Sequence, residues 1–66
     1  MNFGMEVKLK RVSKNIKQYE LADRANISRE YLRLIEKNQA NPTKAVIEKI
    51  ARELDTPVSE LFSDRS

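Results

Sequence analysis

Sixty-six residues make one small domain, and a chain of that length buries only about 60% of the surface its unfolded form exposes. With no cysteine and no histidine, disulfides, zinc sites of the Cys/His kind and His- or Cys-based nucleophile pairs are excluded, and helix packing must hold the fold alone. The net charge of +3 is uneven: residues 1–18 carry Lys8, Lys10, Arg11, Lys14 and Lys17 against Glu6, while residues 54–66 carry Asp55, Glu60 and Asp64 against Arg65. That asymmetry suits a polyanionic partner on one side.

In chain order, the first helix is expected from about Gly4 to Lys14 and a second from about Gln18 to Ala25, with Leu21, Ala22 and Ala25 on one face. Asn26 stands where the chain must turn, because asparagine tolerates the left-handed conformation better than other non-glycine residues. Ser28 follows as an N-cap for a third helix, so helix, tight turn and helix are written locally into residues 18–37. "NQANPT" is a loop, with Pro42 ending whatever precedes it. Thr43 caps a fourth helix in which Ile47, Ile50, Ala51 and Leu54 recur at helical spacing. Thr56 and Pro57 repeat the cap-then-proline signal for a short last helix through Phe62. The polar tail 63–66 is expected to fray. The expected fold is all-α, a compact five-helix bundle with a single core over 1–66, without repeat or linker.

No apolar run approaches the roughly 18 residues of a membrane span, and the N-terminus lacks the apolar segment of a signal peptide. A domain without disulfides suits a reducing compartment, so the expectation is a soluble cytoplasmic protein.

The stretch "IKQYELADRANISREYLRLIEKNQANPT" resembles the helix-turn-helix region of the phage Cro and cI-repressor type of DNA-binding domain, the Xre family. The matching pieces are Gln18, the "ELA" of Glu20 to Ala22, Ile27 and Ser28, the "IEK" of Ile35 to Lys37, and Asn41 with Pro42. Gly4, Val7 and Arg11 upstream, and Leu54 with Glu60 to Phe62 downstream, fall at the family's spacings. The resemblance implies a lambda-repressor-like five-helix bundle whose third helix enters the DNA major groove, in a dimeric transcription regulator.

The residues carry suitable chemistry. At about 100° per residue, Tyr31, Leu32 and Ile35 cluster on one side of the third helix with Glu36 at the margin. The other side presents Arg29, Glu30, Arg33, Leu34 and Lys37. Arginine donates in pairs to guanine O6 and N7, glutamate accepts from cytosine N4, and an aliphatic side chain touches a thymine methyl. Arg29, Glu30, Arg33 and Leu34 are therefore the candidate base readers. By the resemblance, Lys17, Gln18, Lys37, Asn38, Asn41, Thr43 and Lys44 are candidates for phosphate contacts, which set register without reading sequence. Arg11 and Glu36 match positions that form an ion pair between the first and third helices in that family.

Three features depart from the pattern. Lys17 stands where a Ser or Thr cap is usual, Asn26 replaces the more frequent turn glycine, and the first helix has two apolar faces. Met5, Leu9 and Val12 share one face, whereas the family register buries Phe3, Val7 and Arg11 on nearly the opposite one. Either the first helix packs differently from the family, or Met5, Leu9 and Val12 form a partly exposed apolar stripe of the kind that marks an interface; Val58, Leu61 and Phe62 of the last helix offer another such surface. A homodimer is expected on one of the two, since a short recognition helix reads few bases and two-fold half-sites about 34 Å apart add the rest. The main expectation is a repressor binding a palindromic double-stranded operator. The alternative is a protein-binding module of antitoxin or anti-repressor type. Catalysis, a metal, a cofactor or a small ligand is not expected: the carboxylates are scattered over helix surfaces. Phe3, Tyr19, Tyr31 and Phe62 make no stacking platform for RNA.

Overall fold

The computed structural model describes residues 3–62, so the tail at 63–66 lies outside the described residues. Five helices run in order through them: α1 (Phe3–Ser13), α2 (Gln18–Arg24), α3 (Arg29–Glu36), α4 (Lys44–Glu53) and α5 (Val58–Leu61). Among the described residues there is no strand.

The corners of the bundle are set by one local device used four times. Asn15, Asn26, Asn38 and Asp55 have φ of 58°, 58°, 58° and 50°. Each follows a helix, and the residue after each donates its N–H five residues back: Ile16 to Arg11 O, Ile27 to Ala22 O, Gln39 to Leu34 O and Thr56 to Ala51 O. This is the six-to-one closure in which a left-handed residue satisfies the last orphan carbonyls of a helix, with Asn or Asp doing what glycine does elsewhere. At the opposite ends, Ser28 Oγ accepts from Tyr31 N–H at 3.0 Å and Thr43 Oγ1 from Val46 N–H at 3.2 Å. Both are side-chain caps.

Thr56 does not cap α5. It is buried at the end of α4, and its hydroxyl turns back to donate to Leu54 O at 2.9 Å, leaving Pro57 at the N-cap with no side-chain bond. A threonine whose N–H already closes the preceding helix is turned away from the next one.

Val7, Leu21, Leu32, Ile35, Ile50, Leu54 and Leu61 are fully enclosed and form the centre of the core. Tyr31, expected among the core residues of α3, is only half-buried and packs against its edge. The two faces of α1 separate: Phe3, Gly4, Glu6 and Val7 are buried, whereas Met5, Leu9 and Val12 are 49%, 45% and 58% exposed. Two long-range contacts select that orientation. The Phe3 ring stacks on Phe62 with centroids 4.8 Å apart, and the Gly4 N–H donates to Asn38 Oδ1 at 3.2 Å, laying the start of α1 against the end of α3. On α5, Leu61 is part of the core and not of an outer surface, because a helix of a single turn has one inward position and Leu61 fills it; Val58 remains exposed.

Candidate nucleic-acid interface

The arrangement centres on α3, which begins at the Ser28 cap and is pinned near its end by Glu36. Arg11 Nε donates to Glu36 Oε2 at 2.8 Å and Arg11 Nη2 to Oε1 at 3.1 Å, a fork-on-fork pair across 25 residues of sequence. The third donor edge of Arg11 is used as well, with Nη1 donating to Ile16 O at 2.9 Å. Gln18 Nε2 adds a bond to Glu36 Oε1 at 3.2 Å. Arg11 and Glu36 together thus tie α1, the turn after it and the start of α2 to the C-terminal part of α3. The Arg11 and Glu36 side chains are 11% and 4% exposed, so water cannot readily replace these bonds.

Around that knot lies a polar cleft lined by Lys8, Arg11, Gln18, Arg33, Glu36 and Lys37. It brings together residues from α1, α2 and the end of α3 to which the sequence gives different roles, the ion pair, phosphate contact and base reading. In the sequence Lys8 stands out only as part of the basic end of the chain, yet its place three residues before Arg11, on the neighbouring flank of one helix, is a signal for it. Of the remaining phosphate candidates, Asn38 and Asn41 line a second cleft with Phe3, Ile35, Pro42 and Phe62. Asn38 holds Gly4 with its side-chain oxygen, which leaves its amide N–H groups for a partner. Lys17, Thr43 and Lys44 are exposed at the starts of α2 and α4. At α2 no side chain caps the end; instead the Lys17 N–H donates to Glu20 Oε1 at 2.8 Å, which is half of a reciprocal capping pair.

The outer face of α3 carries its own ion pair. Arg33 Nε donates to Glu30 Oε1 at 2.8 Å and Arg33 Nη2 donates to Glu30 Oε2, one helical turn apart. Those hydrogen bonds lower the Glu30 carboxyl from its ordinary value against an opposing desolvation, with the charges of Arg33 and Lys37 acting the same way as the bonds. In return the bonds and the charge of Glu30 raise Arg33. Arg29 and Glu30 are exposed, and Arg33 and Leu34 are half-exposed. Among the described residues no group of carboxylates is placed to hold a metal ion, and no helix is long and apolar enough to cross a membrane.

A model of the helix-turn-helix family matches residues 7–61. The immunity repressor protein of Bacillus phage phi105 is 33% identical over 66 residues, which are 100% of this chain and 46% of that protein. The restriction-modification controller protein C.AhdI from Aeromonas hydrophila is similar in structure with a TM-score of 0.88 and 33% identity over 92% of each chain. SinR, a master regulator for biofilm formation solved in complex with DNA, gives a TM-score of 0.86 at 35% identity, covering 92% of this chain and 98% of that one. The chain spans about half the length of the curated relatives it matches.

Proposed function

This chain belongs to the helix-turn-helix family, and from that premise we propose that residues 1–66 act as one sequence-specific binding unit for double-stranded DNA, serving a transcriptional repressor in the cytoplasm. The observation that carries the reading is a helix face of Arg29, Glu30 and Arg33 with one aliphatic residue, Leu34, held beside a basic cleft by the buried Arg11–Glu36 pair. In this reading α3 lies in the major groove, with those four side chains toward base edges. Lys17, Gln18, Lys37, Asn38, Asn41, Thr43 and Lys44 take the flanking phosphates, joined by Lys8. No step is catalytic and no cofactor takes part.

The described residues measure 30 × 23 × 18 Å, less than the about 34 Å between successive half-sites on one face of the duplex. One copy therefore presents one recognition helix, and a palindromic operator requires two copies. The dimer surface is either Met5, Leu9 and Val12 on α1, or Val58 of α5 with Phe62 at its C-terminal end. Exposure favours the first, since Phe62 is stacked on Phe3. That same α1 stripe supports the second reading, a protein-docking module, which predicts a tight protein complex and no salt-sensitive affinity for DNA.

The deciding experiment is selection of random duplexes by the purified protein at two salt concentrations. Enrichment of a two-fold site, weakening with salt, is expected; recovery of unselected sequence at both concentrations would remove the DNA reading. Two variants refine it. Lys44→Ala should lower affinity across all sequences and flatten the log-affinity against log-salt slope by about one, and an unaltered slope would take Lys44 off the phosphate list. Leu34→Ala should change base preference more than melting temperature. A large loss of stability with unchanged preference would return Leu34 to the core.

A further inference from the structure

We propose that Glu30 positions Arg33 and does not read a base itself, so that the two side chains recognise a single guanine as one unit. The inference rests on the DNA-binding reading above and sharpens it by reassigning one of the four base readers.

The argument is an inventory of donors and acceptors. A guanidinium has five N–H groups in a plane: one on Nε and two on each Nη. Glu30 takes the side edge, through Arg33 Nε at 2.8 Å and through Nη2. The end edge, one N–H from Nη1 and the second from Nη2, stays free, and that edge is the one whose parallel donors match guanine O6 and N7. Engaging the side edge therefore aims the end edge without consuming it. The carboxylate spends one lone pair of each oxygen on Arg33 and keeps one on each, but those two bonds hold its plane along the guanidinium, so the group the pair offers to a base edge is the free donor edge of Arg33.

Position and exposure agree with this. Residues 30 and 33 are three apart on the outer face of α3, with side chains 65% and 40% exposed. An exposed pair of this kind adds little to folding, so its effect falls on where Arg33 points. It also cancels the charge of Glu30, which would otherwise face the phosphates unshielded; the lowered carboxyl of Glu30 is consistent with that mutual neutralisation.

The test compares selected duplex sites for the wild type, Arg33→Ala, Glu30→Ala and Glu30→Gln, with thermal melts of each. The wild type is expected to require guanine at one position per half-site. Arg33→Ala and Glu30→Ala should relax that same position, each by roughly 5- to 100-fold, the range of a good bidentate base contact, and leave the others alone. Glu30→Gln, which keeps one acceptor oxygen, should fall between Glu30→Ala and wild type. Melting temperatures should stay near wild type throughout. In DNA-free protein, exchange of the Arg33 Nε proton with water should quicken in Glu30→Ala. Relaxation at two different base pairs would overturn the proposal, since Glu30 would then read its own base. So would unchanged guanine preference in Glu30→Ala, or unchanged Nε exchange. A wild type that selects no duplex removes the DNA reading itself, an outcome distinct from a selected site whose guanine does not depend on Glu30.

Discussion

A Glu36→Gln variant is expected to lose about 3–5 kcal/mol of folding stability, the usual cost of removing one partner from a buried ion pair. The amide is nearly isosteric with the carboxylate, so the loss is electrostatic. Glu36 accepts from Arg11 Nε, Arg11 Nη2 and Gln18 Nε2 at 2.8, 3.1 and 3.2 Å. A glutamine offers one acceptor oxygen to those three donors and turns an NH2 group toward the rest. The Arg11 guanidinium, 11% exposed, would be left with its charge uncompensated and its Nη1 still committed to Ile16 O. Domains of this size have total stabilities of roughly 3–10 kcal/mol, so much of the folded population is at stake. Urea unfolding should show a lower midpoint at unchanged slope. A midpoint equal to wild type would mean that water solvates the pair. A double variant, Arg11→Met with Glu36→Leu, should recover much of the loss, because replacing both charges removes the desolvation cost together with the attraction.

Gly4→Ala should destabilise the fold by about 1–3 kcal/mol, the range for overpacking at a tight contact. In an exposed helix the same change would be stabilising by up to about 1 kcal/mol, since alanine is the better helix former, so the sign of the effect is the test. A Cβ at Gly4 would sit far inside contact distance of the Ile35 carbonyl oxygen, 2.9 Å from Asn38 Oδ1 and 3.0 Å from the Glu36 carbonyl carbon. Two of those three atoms are backbone at the end of α3 and cannot swing aside. Relief requires α1 to withdraw, which strains the Gly4–Asn38 hydrogen bond and the Phe3–Phe62 stack. It also shifts α3 against α1, so DNA affinity should fall with stability. Thermal melting checks the first effect, and a Gly4→Ala protein that melts at or above wild type would show that α1 does not approach α3 so closely.

These two residues mark the limit of what local sequence signals carry. In the sequence only a family resemblance pairs Glu36 with Arg11, and nothing within five residues of either points to the other. Gly4 fits the family's spacing, yet the reason for a glycine there is a carbonyl about thirty residues away in the chain. Lys8 entered the cleft, Glu6 was buried and Leu61 went inward for the same kind of reason. Each depends on which elements come to lie beside it. The double apolar face of α1 was legible as a conflict but not as an outcome, because helical periodicity shows which residues share a face and not which face the rest of the chain will cover.

By itself, the sequence determined the helices and most of their ends. Ser28 and Thr43 cap through bonds three residues long, and Asn26 turns through its own tolerance of positive φ. Asn15, Asn38 and Asp55 use the same local signal, which was there to be read at three more places. Caps, turns and periodicity act within about five residues, so one sequence suffices to state them. Tertiary structure alone decided the buried face of α1, the close approach at Gly4 and the convergence of Lys8, Gln18 and Lys37 beside Glu36. Those follow from contacts spanning 18, 25 and 34 residues, whose energies exist only once the helices have packed.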